Sequence, residues 1–544
     1  MRRAWLWILI SAALAVSPIM ILGSAWGHDF DFHVPLWMSV ARQVQKGNLY
    51  PRWADQANAG FGEPFMIFYP PLSWMTGALL GTILPWKWAV CAYAFLVFAL
   101  AGCAMWKLAR DSLEPPDAML ASFLYAWNPY LIVMAYKRCS YGELLASAFF
   151  PLLIWAAIRI ASDGRKMIPP LAIVFAAIWL SDLPAGMIAS YSLALLLVLS
   201  SVLHRCLQPL RHGSIAIVAA FASLAFFLLP AAWERQWVEI GRVFRSDWTP
   251  ETNFLFMQNS SPVLSMLNKW LSLLAVLLMI TTAAAAVFSR RSATKESAFN
   301  KTWYFLVALG GVSAFLMFRQ SWLVWQILPA LRYVEYPWRW LTPLSLAGAL
   351  LLAAAIARAR MKRLLWMAAA LAIGGMSALL LYTVRWDFHD RHINILVAAA
   401  RSEAGYQIDE DKDWCLPRGS HPSRLSESAP LVAAEGDSQD VRIDIEQWTP
   451  ERKIFSVDSS RPTLLRIKLL NYPAWHAKVN GTIFPLKTDP ETGQMLLPVS
   501  AGLTHADVTF GRTWDRTTGI IVSLISIATM ALLGLNGFWR RSSV

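Results

Sequence analysis

Long apolar runs separated by short basic clusters are the feature that most constrains this chain of 544 residues. Each run approaches the roughly 20 residues that an α-helix needs to cross a bilayer, although one run is short. The chain is 56% hydrophobic and only 15% charged, a combination that soluble domains rarely show. We therefore predict a mainly α polytopic membrane protein with about 12 transmembrane helices. The predicted spans are 4–23, 88–106, 117–135, 142–160, 167–182, 185–203, 214–232, 266–288, 303–318, 340–357, 365–384 and 517–537.

The basic clusters set the predicted orientation. All of them fall on one side if only these spans cross, and the positive-inside rule makes that side cytoplasmic. This distribution explains the net charge of +13 better than a nucleic-acid-binding face does, so no nucleic acid partner is predicted. We predict a multi-pass protein of a bacterial-type inner (plasma) membrane with both termini in the cytoplasm. The clusters are Arg2/Arg3, Lys107/Arg110, Arg159/Arg165/Lys166, Arg205/Arg211, Arg290/Arg291/Lys295, Arg358/Arg360/Lys362/Arg363 and Arg540/Arg541.

One apolar run, 65–84, breaks the alternation of sides. If it crossed, either the first basic cluster or every later one would lie outside. We predict that it lies at the outer interface or dips into it, with Pro70 and Pro71 setting its entry angle, because proline is tolerated in the first turn of a helix. The first apolar run resembles a signal peptide, but it is longer than a usual h-region, which favours an uncleaved helix.

The segment 385–516 is the only predicted soluble domain, and it lies on the outer side. From residue 440 onward short alternating runs replace the long apolar ones, with turn signals such as Asn480-Gly481 between them, which predicts a small β-sandwich. Residues 391–404 are predicted to form a short interfacial helix. The predicted organisation is a transmembrane domain at 1–384 with a first extracytoplasmic loop at 24–87, a β-rich domain at 385–516, and a C-terminal helix with a cytoplasmic tail at 517–544.

Asp29 and Asp31 follow directly after the first apolar run, with His28 beside them. Ionisable residues at a membrane boundary are costly to desolvate, which makes them candidates for a functional site. In an extended segment both carboxylates face the same side, where they could hold a divalent cation (Mg²⁺ or Mn²⁺) or supply a general base. The alternative is that they cap the helix that follows and pair with Arg42 or Lys46.

Further charged side chains fall on the predicted outer side from several separate segments. Charged groups from several helices near the bilayer imply a polar cavity that opens outward. Arginine forks suit a phosphate or pyrophosphate headgroup. Each side chain alone could equally be snorkelling or held in a local ion pair, most of all Lys137 and Arg332. The residues are Lys137, Arg138, Glu143, Asp182, Arg332, Glu335 and Arg339.

The first loop is also crowded with aromatic side chains. These could stack on sugar faces or line a lipid groove, or they could belong to an interfacial belt. From this loop we include His28, His33 and Tyr69 among the candidate substrate-binding residues.

Several familiar sites are missing from the sequence. The five cysteines contain no CxxC pair, so neither a disulfide framework nor a zinc site is predicted. No P-loop, Rossmann fingerprint, HExxH or GxSxG motif is present, which disfavours an ATP-driven pump and the commonest hydrolases.

The first-loop motifs resemble those of the GT-C superfamily of membrane glycosyltransferases. They are Asp29-Phe30-Asp31 after the first helix, the segment 34–46, and Phe68-Tyr69-Pro70-Pro71-Leu72 before the next helix. The chain is more closely similar to the family labelled 6-pyruvoyl-tetrahydropterin synthase-related membrane proteins, through GNLYPRW, GFGEP, YKRCSYGE and EYPWRW. Its C-terminal LLNYPAWHAKVNG is similar to the end of YfhO-like membrane proteins.

The resemblance implies an activity and site roles. GT-C enzymes typically take a sugar from a polyprenyl-phosphate carrier and transfer it outside the membrane with inversion. The resemblance implies Asp29 or Asp31 as the base, and Arg332 or Arg339 near the donor phosphate. We assign Asp31 as base and Asp29 as its partner or a metal ligand, although the two could be exchanged. The acceptor would be a glycan, lipid or protein of the cell envelope, and the β-rich domain would bind it or cover the cleft.

Two other functions fit the same residues. A carrier or flippase for a lipid-linked glycan would have the same cavity without chemistry. A non-catalytic assembly scaffold would use the β-rich domain as its binding part. Release of free polyprenyl phosphate distinguishes a transferase from both.

Overall fold

The helical membrane part dominates the molecule. The computed structural model describes residues 2–244, 248–290, 299–328, 330–402, 415–435 and 441–539. Among them, nine helices are long and apolar enough to cross a membrane, or eleven if each of two bent pairs is one span. Each predicted span overlaps one of these, and the predicted spans 142–160 and 167–182 share the 41-residue stretch Tyr141–Ser181. The prediction of a mainly α polytopic membrane protein is confirmed.

The helices are numbered in chain order. A π-helix at Val133–Arg138 continues α8, and a 3₁₀ turn at Gly164–Met167 joins α9 to α10. The helices are α1 (Arg2–Leu22), α2 (Phe30–Gln45), α3 (Ala57–Gly60), α4 (Phe65–Phe68), α5 (Pro71–Ile83), α6 (Trp86–Arg110), α7 (Pro115–Ala126), α8 (Pro129–Ile132), α9 (Tyr141–Asp163), α10 (Ile168–Ser181), α11 (Leu183–His204), α12 (Gln208–Ser223), α13 (Ala225–Glu234), α14 (Pro250–Asn253), α15 (Pro262–Ser289), α16 (Phe299–Leu316), α17 (Trp322–Ile327), α18 (Leu341–Ala357), α19 (Lys362–Tyr382), α20 (Arg391–Arg401) and α21 (Trp514–Trp539).

Parts of the sequence predictions fall outside the described residues. These parts are Arg291, Lys295, Arg540 and Arg541 of the basic clusters, and stretches 403–414 and 436–440 of the segment 385–516. The cytoplasmic placement of both termini remains a prediction.

The apolar run 65–84 forms two short helices, α4 and α5. Pro71 is the first residue of α5, where its missing N–H costs nothing. Helix α5 has 13 residues. At a rise of about 1.5 Å per residue it is only about 20 Å long, less than the hydrocarbon thickness of a bilayer. This length agrees with the prediction that the run does not cross.

The span predicted at 214–232 is a bent pair rather than one straight helix. Helices α12 and α13 meet at Leu224 with a bend of 68°. At the bend, the amide of Phe226 donates to Ser523 Oγ of α21 at 2.9 Å. A side chain from α21 therefore satisfies a backbone group that the break leaves without its helical partner.

The C-terminal part before α21 is β-rich, as predicted. One sheet has four strands in the order β3-β6-β10-β9 and the other has five in the order β4-β5-β11-β7-β8, all paired antiparallel. At the β7–β8 turn Asn480 and Gly481 take φ values of 49° and 83°. Positive φ at both positions is what this hairpin signal requires. The strands are β3 (Val432–Ala434), β4 (Val441–Thr449), β5 (Arg452–Ser459), β6 (Thr463–Leu470), β7 (Trp475–Val479), β8 (Thr482–Phe484), β9 (Lys487–Thr488), β10 (Gln494–Val499) and β11 (Gly502–Phe510), and a separate two-stranded pair joins β1 (Ser24–Ala25) to β2 (Trp386–Asp387).

A buried ion pair joins the membrane helices to the β-rich part. Arg516 of α21 donates from Nε and Nη2 to the two carboxylate oxygens of Glu234 on α13, both at 2.7 Å. The Tyr472 hydroxyl donates to the same carboxylate at 2.6 Å. The Glu234 side chain is fully buried, so these donors are what makes its charge tolerable there.

We expect Glu234→Gln to lower the free energy of unfolding by about 3–5 kcal/mol, because it leaves the buried guanidinium of Arg516 without a counter-ion. Tyr472→Phe removes one hydrogen bond to a charged group and should cost only about 1.5–3 kcal/mol. Denaturant unfolding of the purified proteins in detergent, followed by tryptophan fluorescence, measures both losses. Equal losses for the two variants would contradict a dominant role for the ion pair.

Candidate active site

A cavity of about 440 Å³ lies between the first loop, the start of α11, α13 and the segment before α18. It brings together eight of the predicted site residues from segments far apart in sequence. Charged side chains from several helices meet in it, as the sequence predicts. These residues are His28, Asp29, His33, Tyr69, Arg138, Asp182, Glu335 and Arg339.

Asp29 is placed by two backbone hydrogen bonds. The amides of His28 and Asp29 donate to the carbonyls of Lys137 and Arg138 at 3.1 and 2.7 Å, which ties the start of α2 to the end of the π-helix. Gly27 allows this approach, since a Cβ there would lie 2.7 Å from the Lys137 carbonyl oxygen. Asp29 is the N-cap residue of α2, but its carboxylate does not cap the helix.

The Asp29 carboxylate instead binds two basic side chains. Its Oδ1 lies 2.6 Å from His28 Nδ1, and its Oδ2 accepts from Arg138 Nη2 at 3.4 Å. Burial alone would raise the pKa of this carboxyl, but the hydrogen bond and charge of His28 and the charge of Arg138 hold it well below its usual range. Asp29 is therefore ionised throughout the physiological pH range.

Glu143 joins the two buried arginines from behind the cavity. Its Oε2 accepts from Arg138 Nη1 at 2.6 Å and from Arg339 Nε at 3.2 Å, and its Oε1 accepts from the Tyr130 hydroxyl at 2.5 Å. The side chain is 2% exposed. Arg339 also donates to Glu335 Oε2 at 3.1 Å. Together the three acids and two arginines form one continuous network that runs from Asp29 to Glu335.

Asp182 provides a carboxyl of different character. Its Oδ1 caps α11 by accepting from the Ala185 amide at 2.8 Å. Burial raises the pKa of Asp182 to about 6, and Glu143 adds to the rise while Arg339 and Arg138 oppose it. Among the carboxyls that line the cavity, Asp29 is thus permanently ionised while Asp182 has a pKa of about 6, and carboxyls of different pKa are found where acid and base roles are divided.

Glu335 occupies a strained backbone position. It has φ 62° and ψ −54°, and the amide of Tyr336 donates to the Val334 carbonyl at 2.6 Å across it. This is a γ-turn of the rare, strained form. Strain of this kind persists only where the surroundings enforce it, and it concentrates at functional sites. Burial also raises the pKa of the Glu335 carboxyl above its usual value.

Asp31 does not lie beside Asp29 in the cavity. The sequence predicted an extended segment here, and this prediction is wrong. Helix α2 begins at Phe30, so Asp31 lies in its first turn and points elsewhere. Its carboxylate accepts from Trp26 Nε1 at 2.9 Å and lies 2.5 Å from His392 Nε2 of α20. Asp31 is not part of the cavity lining. It links the first loop to the segment that leads into the β-rich part.

This separation bears on the predicted cation. Asp29 and Asp31 are bound by different partners, so the pair does not fit a shared metal site. Within the described ranges, no group of three or more His, Cys, Asp or Glu side chains is arranged to hold a metal ion.

Arg332 also lies away from the cavity. It is exposed on a 3₁₀ turn at Leu331–Val334 and does not line the cavity, whereas Arg339 does. Of the two arginines for which the resemblance implies a place near a donor phosphate, only Arg339 is among the cavity-lining residues. Lys137, similarly, contributes its backbone carbonyl rather than its side chain.

Other residues that line the cavity are not among the predicted site residues. Arg235, Trp248 and Tyr333 come from the loops on the predicted outer side. No motif distinguishes them, since they reach the cavity only through the bend of α13 and the turns around it. One wall is apolar and includes Met187 and Leu267, so the cavity combines a charged end with a lipid-like one.

Among the solved structures that align with the chain are the following two. The first is an arabinofuranosyltransferase, AftD, from mycobacteria, with 15% identity, a TM-score of 0.44, and coverage of 70% of this chain and 27% of that one. The second is an oligosaccharyltransferase of Archaeoglobus fulgidus, with 14% identity, a TM-score of 0.34, and coverage of 76% of this chain and 57% of that one. The chain thus spans about a quarter of the first and a little over half of the second. No family model and no curated protein matches the sequence.

Both matched proteins are named as glycosyltransferases.

We expect Glu143→Gln to loosen the first loop, because Glu143 holds Arg138, whose carbonyl in turn holds the Asp29 amide. Hydrogen exchange of a peptide covering 27–30 should accelerate about tenfold, the equivalent of about 1.4 kcal/mol of local opening free energy. Glu335→Gln is the matched control, since Glu335 contacts Arg339 and not Arg138. Unchanged exchange in Glu143→Gln, or the same acceleration in the control, would contradict this role.

Proposed function

We propose that this protein is an inverting membrane glycosyltransferase that moves a sugar from a polyprenyl-phosphate donor to a cell-envelope acceptor on the extracytoplasmic side. The observation that carries the proposal is the combination, in one cavity, of the ionised Asp29, the buried arginines Arg138 and Arg339, and an apolar wall. A lipid-linked sugar phosphate has three parts that complement these groups. Its sugar hydroxyls can bind the carboxylate, its anionic phosphate can bind the arginines, and its apolar tail can pack on the apolar wall.

The reaction needs a base and a cation in fixed positions. An acceptor hydroxyl attacks the anomeric carbon, the new C–O bond forms, and the bond from that carbon to the phosphate oxygen breaks. The hydroxyl proton passes to a carboxylate, and the bond electrons leave with the phosphate. A positioned base contributes about 10²–10⁴-fold. Fixed positive charge stabilises the leaving phosphate as its negative charge develops.

We assign the base to Asp29 rather than to Asp31. Asp29 lines the cavity and is ionised, while Asp31 is bound to His392 outside the lining. Arg339 and Arg138 are the candidate groups for the leaving phosphate, because both are buried beside the cavity and Arg guanidinium forks match phosphate geometry. No step of this proposal passes through a metal ion.

His33 and Tyr69 are proposed to position the sugar. Their rings lie 5.9 Å apart and Tyr69 is also packed against Phe32, so both side chains are held rigidly at the cavity. Burial and the neighbouring carboxylate of Asp182 raise the pKa of Tyr69 well above its usual value, which keeps its hydroxyl protonated.

We expect Asp29→Asn to lower the turnover number for carrier-phosphate release by at least about 10²-fold, because the amide cannot accept the acceptor proton. The matched control is Asp31→Asn, the same chemical change two residues away, which should stay within about fivefold of wild type. Purified proteins are incubated with a panel of polyprenyl-phosphate sugars and candidate acceptors, and free polyprenyl phosphate is quantified.

Other outcomes have defined meanings. A large loss of turnover only in Asp31→Asn would show that Asp31, not Asp29, is the base. Full activity in both variants would exclude the acidic pair as the base. If every donor stays bound to wild type and none releases its carrier phosphate, the carrier or scaffold function is favoured instead.

Relative to Asp182→Asn, wild type should gain affinity for an anionic carrier lipid as the pH falls through about 6, the pKa of Asp182. Asp182 is then protonated, so the cavity loses one negative charge that repels the phosphate. The other cavity-lining groups and the second ionisation of the carrier phosphate are common to both proteins, so the difference between them isolates Asp182. Asp182→Asn should therefore bind polyprenyl phosphate more tightly than wild type at pH 7.5 and about equally at pH 5.5. Identical pH dependence in the variant would contradict the assignment.

A further inference from the structure

A second cavity of about 440 Å³ lies where α21 begins, between the first loop, the α12–α13 bend and the β-rich part. It shares no lining residue with the candidate active site. Trp514 and Trp233 pack edge to face at 5.0 Å beside the start of α21, and tryptophan is enriched at membrane interfaces. We infer from this that the cavity lies at the level of the lipid headgroups.

The end of the cavity near the β-rich part is basic. Arg52, Arg512 and Arg516 line it, and Glu451 is the acidic residue among the lining side chains. Arg516 is neutralised by Glu234, as described above. In the described part of the chain, no carboxylate lies within ion-pairing distance of Arg52 or Arg512. The cavity thus presents two guanidinium groups with no carboxylate paired to them.

Arg52 is held in place rather than free in solvent. Its guanidinium lies 5.0 Å from the ring centre of Tyr50, and Tyr50 in turn packs on Phe226 and Trp74 at 5.9 and 5.8 Å. Burial lowers the pKa of the Arg52 guanidinium, and the charges of Glu234 and Glu451 offset this only in part, so a further anion beside it would be favourable. A positioned arginine of this kind suits phosphate recognition.

The other end of the cavity is apolar and follows the membrane helix. Ile520, Leu524 and Ile527 line it at the i, i+4 and i+7 positions of α21, so they share one face of the helix. Leu524 and Ile527 are 62% and 50% exposed, as side chains that face lipid would be. A molecule that fills the cavity must therefore carry an anionic head and an apolar chain.

We propose that this cavity binds a membrane lipid through its anionic phosphate headgroup, with Arg52 and Arg512 on the phosphate and the chain along α21. The site is independent of the proposed transferase reaction. Its role is to seal the junction between α21, the first loop and the β-rich part.

Native mass spectrometry of the full chain, released from detergent micelles, tests the proposal. The added probes are phosphatidylglycerol, a polyprenyl phosphate, phosphatidylcholine and inorganic phosphate. Retention of the two anionic lipids should fall about fivefold for each guanidinium removed, in Arg512→Gln and further in Arg52→Gln/Arg512→Gln. Arg512 is exposed, so its replacement does not threaten folding. Arg442→Gln, an exposed arginine on β4, is the matched control and should bind as wild type does.

A gain of binding provides a second readout that damage to the fold would not produce. Glu451→Gln removes the acidic lining residue and should raise retention of the anionic lipids severalfold. Equal retention of phosphatidylcholine and phosphatidylglycerol, or no effect of the arginine changes, would overturn the proposal. Tight binding of inorganic phosphate without any lipid preference would also overturn it, because the ligand would then come from solution.

Discussion

The shared ion pairs of Glu143 are the interaction on which the candidate active site depends. One buried carboxylate faces two guanidinium groups that come from distant segments of the chain, Arg138 at the end of the π-helix and Arg339 just before α18. The Glu143 side chain is only 2% exposed, and a charge buried to this degree is tolerable only when it is paired and hydrogen-bonded. Formation of this contact therefore requires that α9, the π-helix and the Tyr336–Arg339 segment be correctly packed together.

The same contact determines what faces the cavity. Glu143 fixes the position of Arg138, and Arg138 in turn fixes Asp29 through two contacts. The carbonyl of Arg138 accepts from the Asp29 amide, and Nη2 of Arg138 donates to the Asp29 carboxylate. Because Arg339 is fixed, Glu335 is held in its γ-turn. The acidic and basic groups are thus arranged before any substrate enters, and preorganised charge is what an active site needs to stabilise a developing negative charge.

The membrane helices could be predicted from sequence because hydropathy and the positions of basic residues are the main signals for which segments cross a bilayer. The β-strands and the Asn480-Gly481 turn could be predicted because their signals are local. The bend between α12 and α13 could not, since it is stabilised by Ser523 on α21, which is 297 residues away from Phe226. Arg235 and Trp248 reach the cavity only as a consequence of that bend and of the turns after it, so no local pattern marks them.

The acidic pair shows where pattern reasoning fails at a single helix end. Pro35 favours a helix that begins near residue 34, since proline belongs in a first turn. Helix α2 instead begins at Phe30 and keeps Pro35 inside it. In a strand, residues two apart share a face, but in a helix they point in different directions. The earlier start of α2 therefore turns the Asp31 side chain away from that of Asp29. Asp29 lines the cavity and Asp31 does not, and this division depends on tertiary contacts with Arg138 and His392.

Helix α13 connects the two cavities physically. Phe226 at its beginning lines the proposed lipid cavity, Leu228 and Ala231 line the candidate active site, and Glu234 at its end holds Arg516. Helix α13 has only 10 residues, so the linings of both cavities and the buried ion pair with Arg516 depend on the placement of one short element. That placement is set at one end by the bend at Leu224 and at the other by the contact of Glu234 with Arg516. The two cavities are therefore separate in their lining residues but share one supporting helix.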